Sequence, residues 1–512
     1  MKLFFLTTLF LQTTVFATEY IAYFSQPIKE LPEIRSGKIT SKKTFGPNGQ
    51  FLLIESNENF NTTQLAFTKI PNFKHLSPNN HISIPTEIPP SSNINGLWWQ
   101  DAIQLSEAHE ISEGSEDLVV AVIDTGVDYR HQDLKDSIFI NSNEIPNNNI
   151  DDDQNGFVDD YYGYDFFSNL GGGMDDNGHG THCAGIIAAN GNFKGVAPKV
   201  KILPIKFLNN YGSGDILKAI EAINYAMIRG AKILTNSYGN PNNNQAFYEA
   251  VKIATNSGAL FFAAAGNAKN DNDERGEYPA NYSLKEVLSI GASNSSARKA
   301  TFSNFGQLSV DLFAPGDNIY SLDLNNQYKI RSGTSMATPM AAGLAALIWS
   351  EHPQLNNQEI REILIKSSNQ ISSLYSYAQT PGVINALNGL KMIYPPSYFP
   401  IPRSKITSKE IVLESDSPYE NNSRKTYELN LPNAKMISVH FNLIDVENAY
   451  DYLQIENTNG QILKKITGEF AAGDTQFFNQ SKLIFRIVSD NTQVAKGFKI
   501  DRVNYVNDAG RK

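Results

Sequence analysis

From about residue 98 onward, fully apolar runs alternate with segments whose apolar residues recur every three or four positions. The runs "DLVVAVID", "KVKILPIKF", "AKILTNS", "ALFFAAAGN" and "EVLSIGA" are apolar on both faces, and "SGDILKAIEAINYAMIRG" between them has helical spacing. Strands buried on both faces that alternate with helices predict an α/β fold, a parallel sheet covered by helices on either side. Functional residues in such sheets gather at the carboxyl ends of the strands. Upstream the texture differs. Residues 18–76 mix short alternating segments such as "EYIAYF" and "GQFLLIES" with polar turns, which predicts a small strand-containing unit. The stretch "SPNNHISIPTEIPPSSNING" (77–96) is rich in Pro, Ser and Asn and reads as an exposed linker. After a second Pro-rich boundary, "YPPSYFPIPRS" (394–404), come "ISVHFNLI", "DYLQI", "KLIFRIV" and "GFKIDRVNYV". Separated by Asn, Gly and Asp turns, they predict an antiparallel β-sandwich.

At 512 residues the chain exceeds one ordinary core, in keeping with several folded units. A formal net charge of -10 disfavours nucleic acid and anionic membranes as partners. The opening "MKLFFLTTLFLQTTVFA" has a basic start, a short apolar run and small residues at Val15 and Ala17. It reads as a secretory signal cleaved after Ala17, with a buried N-terminal element as the alternative, and it is too short for a permanent membrane helix. The expected destination is extracellular or periplasmic. Cys183 is the chain's one cysteine, so no internal disulfide forms, and its apolar neighbours favour a buried small side chain over a reactive thiol.

The candidate chemistry begins at "RSGTSMATPMAAGLAALIW" (331–349), where a tight turn carrying Ser335 runs into a small-residue helix, with Pro339 expected in its first turn. A serine hydroxyl needs a base, and the base needs an orienting group. Asp124 follows the buried strand "LVVAVI"; His179 and His182 lie together on the glycine-rich turn "DDNGHGTHCAG", and spacing alone does not choose between them. The order Asp, His, Ser and the context Gly-Thr-Ser-Met-Ala do not fit the Gly-x-Ser-x-Gly elbow of α/β-hydrolases. A helix cap is the plain alternative for Ser335.

"VAVIDTGVD", "GHGTHCAG" and "GTSMATPMAAG" resemble the three signature segments of the subtilisin-like serine proteases (subtilases), a resemblance covering about residues 98–395. It implies a subtilisin-like sheet preceded by a small α+β prodomain. It implies that Asp124 orients the imidazole, His179 acts as base then acid, and Ser335 attacks the scissile carbonyl. His182 becomes a structural histidine. "FFAAAGNAKN" is similar to the family's oxyanion-hole segment, so the Asn267 amide would work with the Ser335 backbone N–H, beside Ala265 and Gly266. "NNYGSGD" and "TNSYGNP" resemble the segments that hold a substrate as an added strand, Gly212-Ser213-Gly214 and Ser237-Tyr238-Gly239. "RGEYPANYS" puts Glu277 on the primary specificity pocket, which would favour Lys or Arg before the cut bond; a solvated loop glutamate is the alternative.

"IDDDQNGFVDDYYGYD" resembles half a calcium loop, with Asp151, Asp153, Asn155 and Gly156 on the template and Asp159 or Asp160 replacing its missing glutamate. Ca2+ there would be structural; a merely acidic insertion is the alternative. "AYDYLQIENTNGQILKKITG" and "KLIFRIVSDNTQVAKGFKI" resemble strands of CUB domains, without their usual cysteines, and Asp451 and Asp490 match calcium positions of some of them. The expected organisation is 1–17 signal, 18–92 propeptide and activation linker, 93–396 peptidase domain and 405–512 CUB-like sandwich. The implied protein is a secreted monomeric endopeptidase, made as a zymogen, that acts on proteins or peptides, with a tail that docks substrate or a cell surface. A catalytically dead binding relative and an esterase are the competing readings.

Overall fold

The computed structural model describes residues 17–31, 39–46, 49–89, 96–392, 407–447, 451–470, 473–474, 478, 480–491 and 494–507. The expected signal, apart from Ala17, lies outside them.

The expected parallel strands form the centre of a ten-stranded sheet. Leu312–Pro315, Val287–Ser293, Leu260–Ala264, Ile233–Asn236, Val119–Asp124 and Lys201–Lys206 are neighbours in that order, each pair parallel. Alternation puts Val120 and Val122 into the core on one face and Ala121 and Ile123 into the core on the other. That two-sided burial is why these strands read as unbroken apolar runs. The sheet is mixed rather than wholly parallel. Short antiparallel pairs, Asn369–Gln370 with Gly382–Val383 and Tyr164–Asp165 with Leu170–Gly171, close its ends. Two-residue strands are too brief to leave an alternation in the sequence.

One face carries two helices that matter below, the histidine helix His179–Ala188 and the serine helix Thr334–Glu351. The serine helix is buried all round from Thr334 to Trp349, which its Ala- and Gly-rich sequence permits. Pro339 is its sixth residue, in the second turn rather than the first, because the helix starts as early as Thr334. The other face is covered by Ile216–Ile228, capped by Asp215, and Gln245–Asn256, capped by Asn244.

Among the described residues before 79, four strands form an antiparallel sheet, in the order Ile39–Phe45, Phe51–Ser56, Thr18–Phe24, Phe73–Pro78, with the helix Phe60–Phe67. This is the α+β unit expected. Ile21, Phe45, Phe51 and Leu53 share a core cluster with Leu217, Phe247 and Val251 of the two covering helices. The following segment is not the free linker its composition suggests. His81–Ser83 pairs antiparallel with Ser213–Asp215, and Ile82 is buried.

The tail is all antiparallel: five strands led by Thr407–Glu414, Gly497–Asn507 and Ala434–Val446, and four in the order Thr426–Asn430, Lys482–Val488, Tyr452–Glu456, Ile462–Ile466. Leu453, Ile455, Phe485, Phe441 and Phe498 share the core of this sandwich.

Candidate active site

Three of the sequence-selected residues meet at the carboxyl end of the sheet. Asp124 ends its strand, His179 opens one helix and Ser335 is the second residue of the other. All three are buried. The Asp124 Oδ1 accepts from His179 Nδ1 at 2.8 Å and from the Thr125 N–H at 2.7 Å. Gly180 allows this approach, since a Cβ there would fall 2.0 Å from the Gly126 carbonyl and 3.1 Å from the Asp124 Cβ. Burial alone would lower the His179 pKa, but the Asp124 charge and hydrogen bond, with Asp175 behind them, hold it above the ordinary imidazole value.

The hydroxyl side of the expected relay is not made. The Ser335 hydroxyl donates to the Ser237 carbonyl at 3.3 Å rather than to His179. The chain's own residues explain this. Ser83 exchanges both backbone hydrogen bonds with Gly239, at 3.3 and 2.9 Å, and the Ile84 N–H donates to Gly212 at 2.9 Å. That register sets Pro85 opposite Ser237. Proline has no N–H to offer the Ser237 carbonyl, and the Ser335 hydroxyl supplies the donor instead.

The helix start is held from a distance. It has no side-chain cap of its own, and the Asn267 Oδ1 accepts from both the Thr334 N–H and the Thr334 hydroxyl at 2.9 Å. Those bonds orient the Asn267 amide, so Nδ2 faces the cleft and donates to the Thr86 carbonyl at 3.1 Å. A Cβ on Gly333 would lie 3.1 Å from that Nδ2 and 3.6 Å from the Ser335 nitrogen, so glycine leaves the space between the two donors open. Pro339 completes the arrangement. In a regular helix its nitrogen would donate to the Ser335 carbonyl; freed, that carbonyl accepts from Ser237 Oγ at 2.9 Å and Cys183 Sγ at 3.4 Å. Burial pushes the Cys183 thiol up, away from thiolate chemistry.

His182 is buried too, and its Nε2 contacts the Ile319 and Lys329 carbonyls at 3.1 Å. Burial chiefly lowers its pKa to about 3, so it is a neutral strut between helix and hairpin. Gly212, Ser213, Gly214 and Gly239 flank residues 81–84, so the two segments expected to grip a substrate grip this chain's own strand. The Tyr238 side chain is wholly buried and bonds Asn236, leaving only its backbone to that edge. The Ala265 carbonyl accepts from Asn272 and Asn304, and the Gly266 N–H donates to the Thr334 hydroxyl. Glu277 reaches the same cleft wall: its Oε1 lies 2.2 Å from where a Gly239 Cβ would stand, and its Cγ 3.4 Å from a Gly266 Cβ. Burial pushes its carboxyl up to about 7.

Two further residues support the site from behind. Asp175 accepts from the Asn177, Gly178 and Thr181 N–H groups and the Thr181 hydroxyl, pinning the turn that carries His179. Buried Lys206 donates to the Thr125 and Leu208 carbonyls and to Asp176, tying two loops beside Asp124. The Asp-x-x-Gly spacing before His179 is a local sequence signal for the first; the second has none.

In the acidic loop, Asp151 accepts from the Asn155 and Gly156 N–H groups and Asp159 from those of Asn148 and Asn149. The converging oxygens belong to two residues the pattern offered, Asp153 and Asp160, and to Glu144, which it did not. Asn155 donates to Asp160, and Arg229 to Asp153 at 3.1 Å. Glu144 Oε2 is buried without a hydrogen-bond partner. In the tail, Glu447, Asp451 and Asp490 converge similarly, with Tyr419 donating to Asp451 at 2.5 Å.

A family model described as the subtilase family matches residues 115–388, and one described as the CUB domain matches 403–501. The chain is 38% identical over 287 residues to a thermophilic serine proteinase of Bacillus sp. (strain AK1), covering 55% of this chain and 64% of that protein. It is 36% identical to thermitase of Thermoactinomyces vulgaris, over 56% of this chain and 94% of the relative. It is 34% identical to subtilisin-like protease 1 of Plasmodium falciparum (isolate 3D7), over 55% of this chain and 44% of that protein.

Proposed function

The chain belongs to the subtilase family of serine endopeptidases, and from that premise we propose that it hydrolyses peptide bonds of proteins through Asp124, His179 and Ser335. The carrying observation is the buried Asp124–His179 pair opening on the same cleft as Ser335 and the Asn267 amide. In the proposed reaction His179 Nε2 takes the Ser335 proton while Oγ adds to the scissile carbonyl. The Asn267 Nδ2 and the Ser335 N–H stabilise the resulting oxyanion. His179 then protonates the leaving amine, and water repeats the sequence on the acyl-enzyme. Asp124 keeps the proton on Nδ1, so that Nε2 is free to act as base.

Residues 18–92 are proposed as a propeptide, supported by the strand at 81–84 lying along the substrate edges. Export and an extracellular or periplasmic location rest on the opening segment and on the usual setting of subtilase and CUB domains. Among the described residues no helix is long and apolar enough to cross a membrane. The Glu277 carboxyl supports a preference for Arg or Lys before the cut. Calcium is proposed for the acidic loop, held by Glu144, Asp153 and Asp160, whose carboxylate oxygens converge, rather than by Asp151 and Asp159, which stand outside that cluster. The buried, unpartnered Glu144 oxygen fits a hard cation. The role is structural. The tail is proposed to dock substrate or a surface.

A fluorophosphonate probe tests the central reading. It should label the secreted, casein-cleaving protein and fail on Ser335→Ala. A secreted, folded protein that takes no label and cleaves no casein would instead be the binding-only relative.

A further inference from the structure

The chain's own segment continues past the reactive serine. Upstream, Ser83 and Ile84 are laddered to the cleft edges, and the Thr86 carbonyl lies on Asn267 Nδ2, where a scissile carbonyl would stand. The next residue, Glu87, lays its carboxylate on the Arg331 Nη1, and Ile88 then bridges Ser332 antiparallel. Arg331 is not a surface arginine. It is 6% exposed, at the end of the Gln327–Arg331 strand of a two-stranded hairpin whose partner is Ile319–Asp323. Burial lowers its pKa to about 10, and its Nε is buried without a hydrogen-bond partner. Its other carboxylate, Asp323, stands 3.7 Å away. Lys329 lines the same pocket with Asn177 and Tyr211.

A guanidinium withdrawn from water needs a close carboxylate, because the desolvation cost is otherwise unmet. Here the close one comes from a segment that departs if the propeptide is removed. We propose that Arg331 is an anion-binding subsite just beyond the scissile bond, recognising Glu or Asp on the leaving side of the substrate. The proposal rests on the endopeptidase reading above. Glu87 occupies the subsite until maturation, and a substrate carboxylate takes its place. The planar guanidinium, with its rigid fork of donors, suits a carboxylate better than an amide.

The test uses the secreted enzyme, with active sites titrated by fluorophosphonate, and peptides alike except for Glu, Gln or Lys at the first two residues after the cut. Wild type should prefer Glu over Gln by about 10- to 100-fold in kcat/KM, the range for hydrogen bonds to charged groups, and Lys should be poorest. Arg331→Gln should bring the Glu:Gln ratio close to one, and Arg331→Lys should keep part of it. Equal cleavage of the three peptides by wild type, or an unchanged ratio in Arg331→Gln, overturns the subsite. Should the buried substitution prevent folding, the wild-type ratio decides alone. Absence of both label and cleavage would instead bring down the endopeptidase reading.

Discussion

The two sides of Ser335 end in opposite charges. On one, Glu277 lies against the walls made by Gly239 and Gly266, and burial alone pushes its carboxyl up to about 7. On the other, Arg331 is buried but already engaged by Glu87 and flanked by Asp323. The upstream acid is poised between neutral and charged, so an arriving cation would both pair with it and ionise it. The downstream base stays charged below about pH 10 and already holds an acid from this chain. On this reading the first side selects by what it lacks and the second by what it must exchange.

Removing the chemistry common to both sides has the largest effect. Ser335→Ala should lower kcat by about 10⁶-fold, the scale of losing a triad serine, for every peptide alike. A variant that kept a tenth of its turnover would leave the two sides flanking the wrong residue. Asn267→Ala should cost about 10²–10³ in kcat with little change in KM, again on both sides. A rise confined to KM would make Asn267 a substrate holder.

The comparison itself sharpens with Glu277→Gln. The Arg:Leu preference before the cut should fall by about 10- to 100-fold, as a charge-assisted pair is lost. In wild type that preference should grow between pH 6 and 8, because the carboxyl is protonated below about 7 and charged above it. Taking the ratio of two peptides cancels His179, whose raised pKa should shift the acid limb of each separate kcat/KM profile upward from that of an ordinary imidazole. A Leu preference, or a ratio flat with pH, would make Glu277 an ordinary loop acid. The smallest effect lies away from the cleft. EDTA should lower the melting temperature by a few degrees if a bound ion contributes about 1–3 kcal/mol, and Glu144→Gln should abolish that shift. A melting curve indifferent to EDTA would leave Arg229 as the loop's counter-charge.

Much of this was legible because it is local. Unbroken apolar runs, helical spacing in 213–230 and turn residues at Asp124, His179 and Ser335 each report on a few consecutive positions. Those patterns follow from strand and helix periods, so they survive in a single sequence. The described part of the linker is mostly exposed or half-exposed, as its Pro, Ser and Asn content says, but composition is silent on the pairing of His81–Ser83 with Ser213–Asp215, because that edge lies more than a hundred residues further along the same chain.

By itself, then, the sequence determined the α/β middle, the β-rich tail and the three turns that carry the chemistry. Only the tertiary structure decided that Asn267 caps a helix 67 residues away, that Ser335 turns to Ser237 opposite Pro85, that Glu144 rather than Asp151 faces the acidic cluster, and that Glu87 meets Arg331. Backbone periodicity is short-range. Which side chains share a buried charge or a hydrogen bond depends on strand order and on desolvation, and both arise only when distant segments pack.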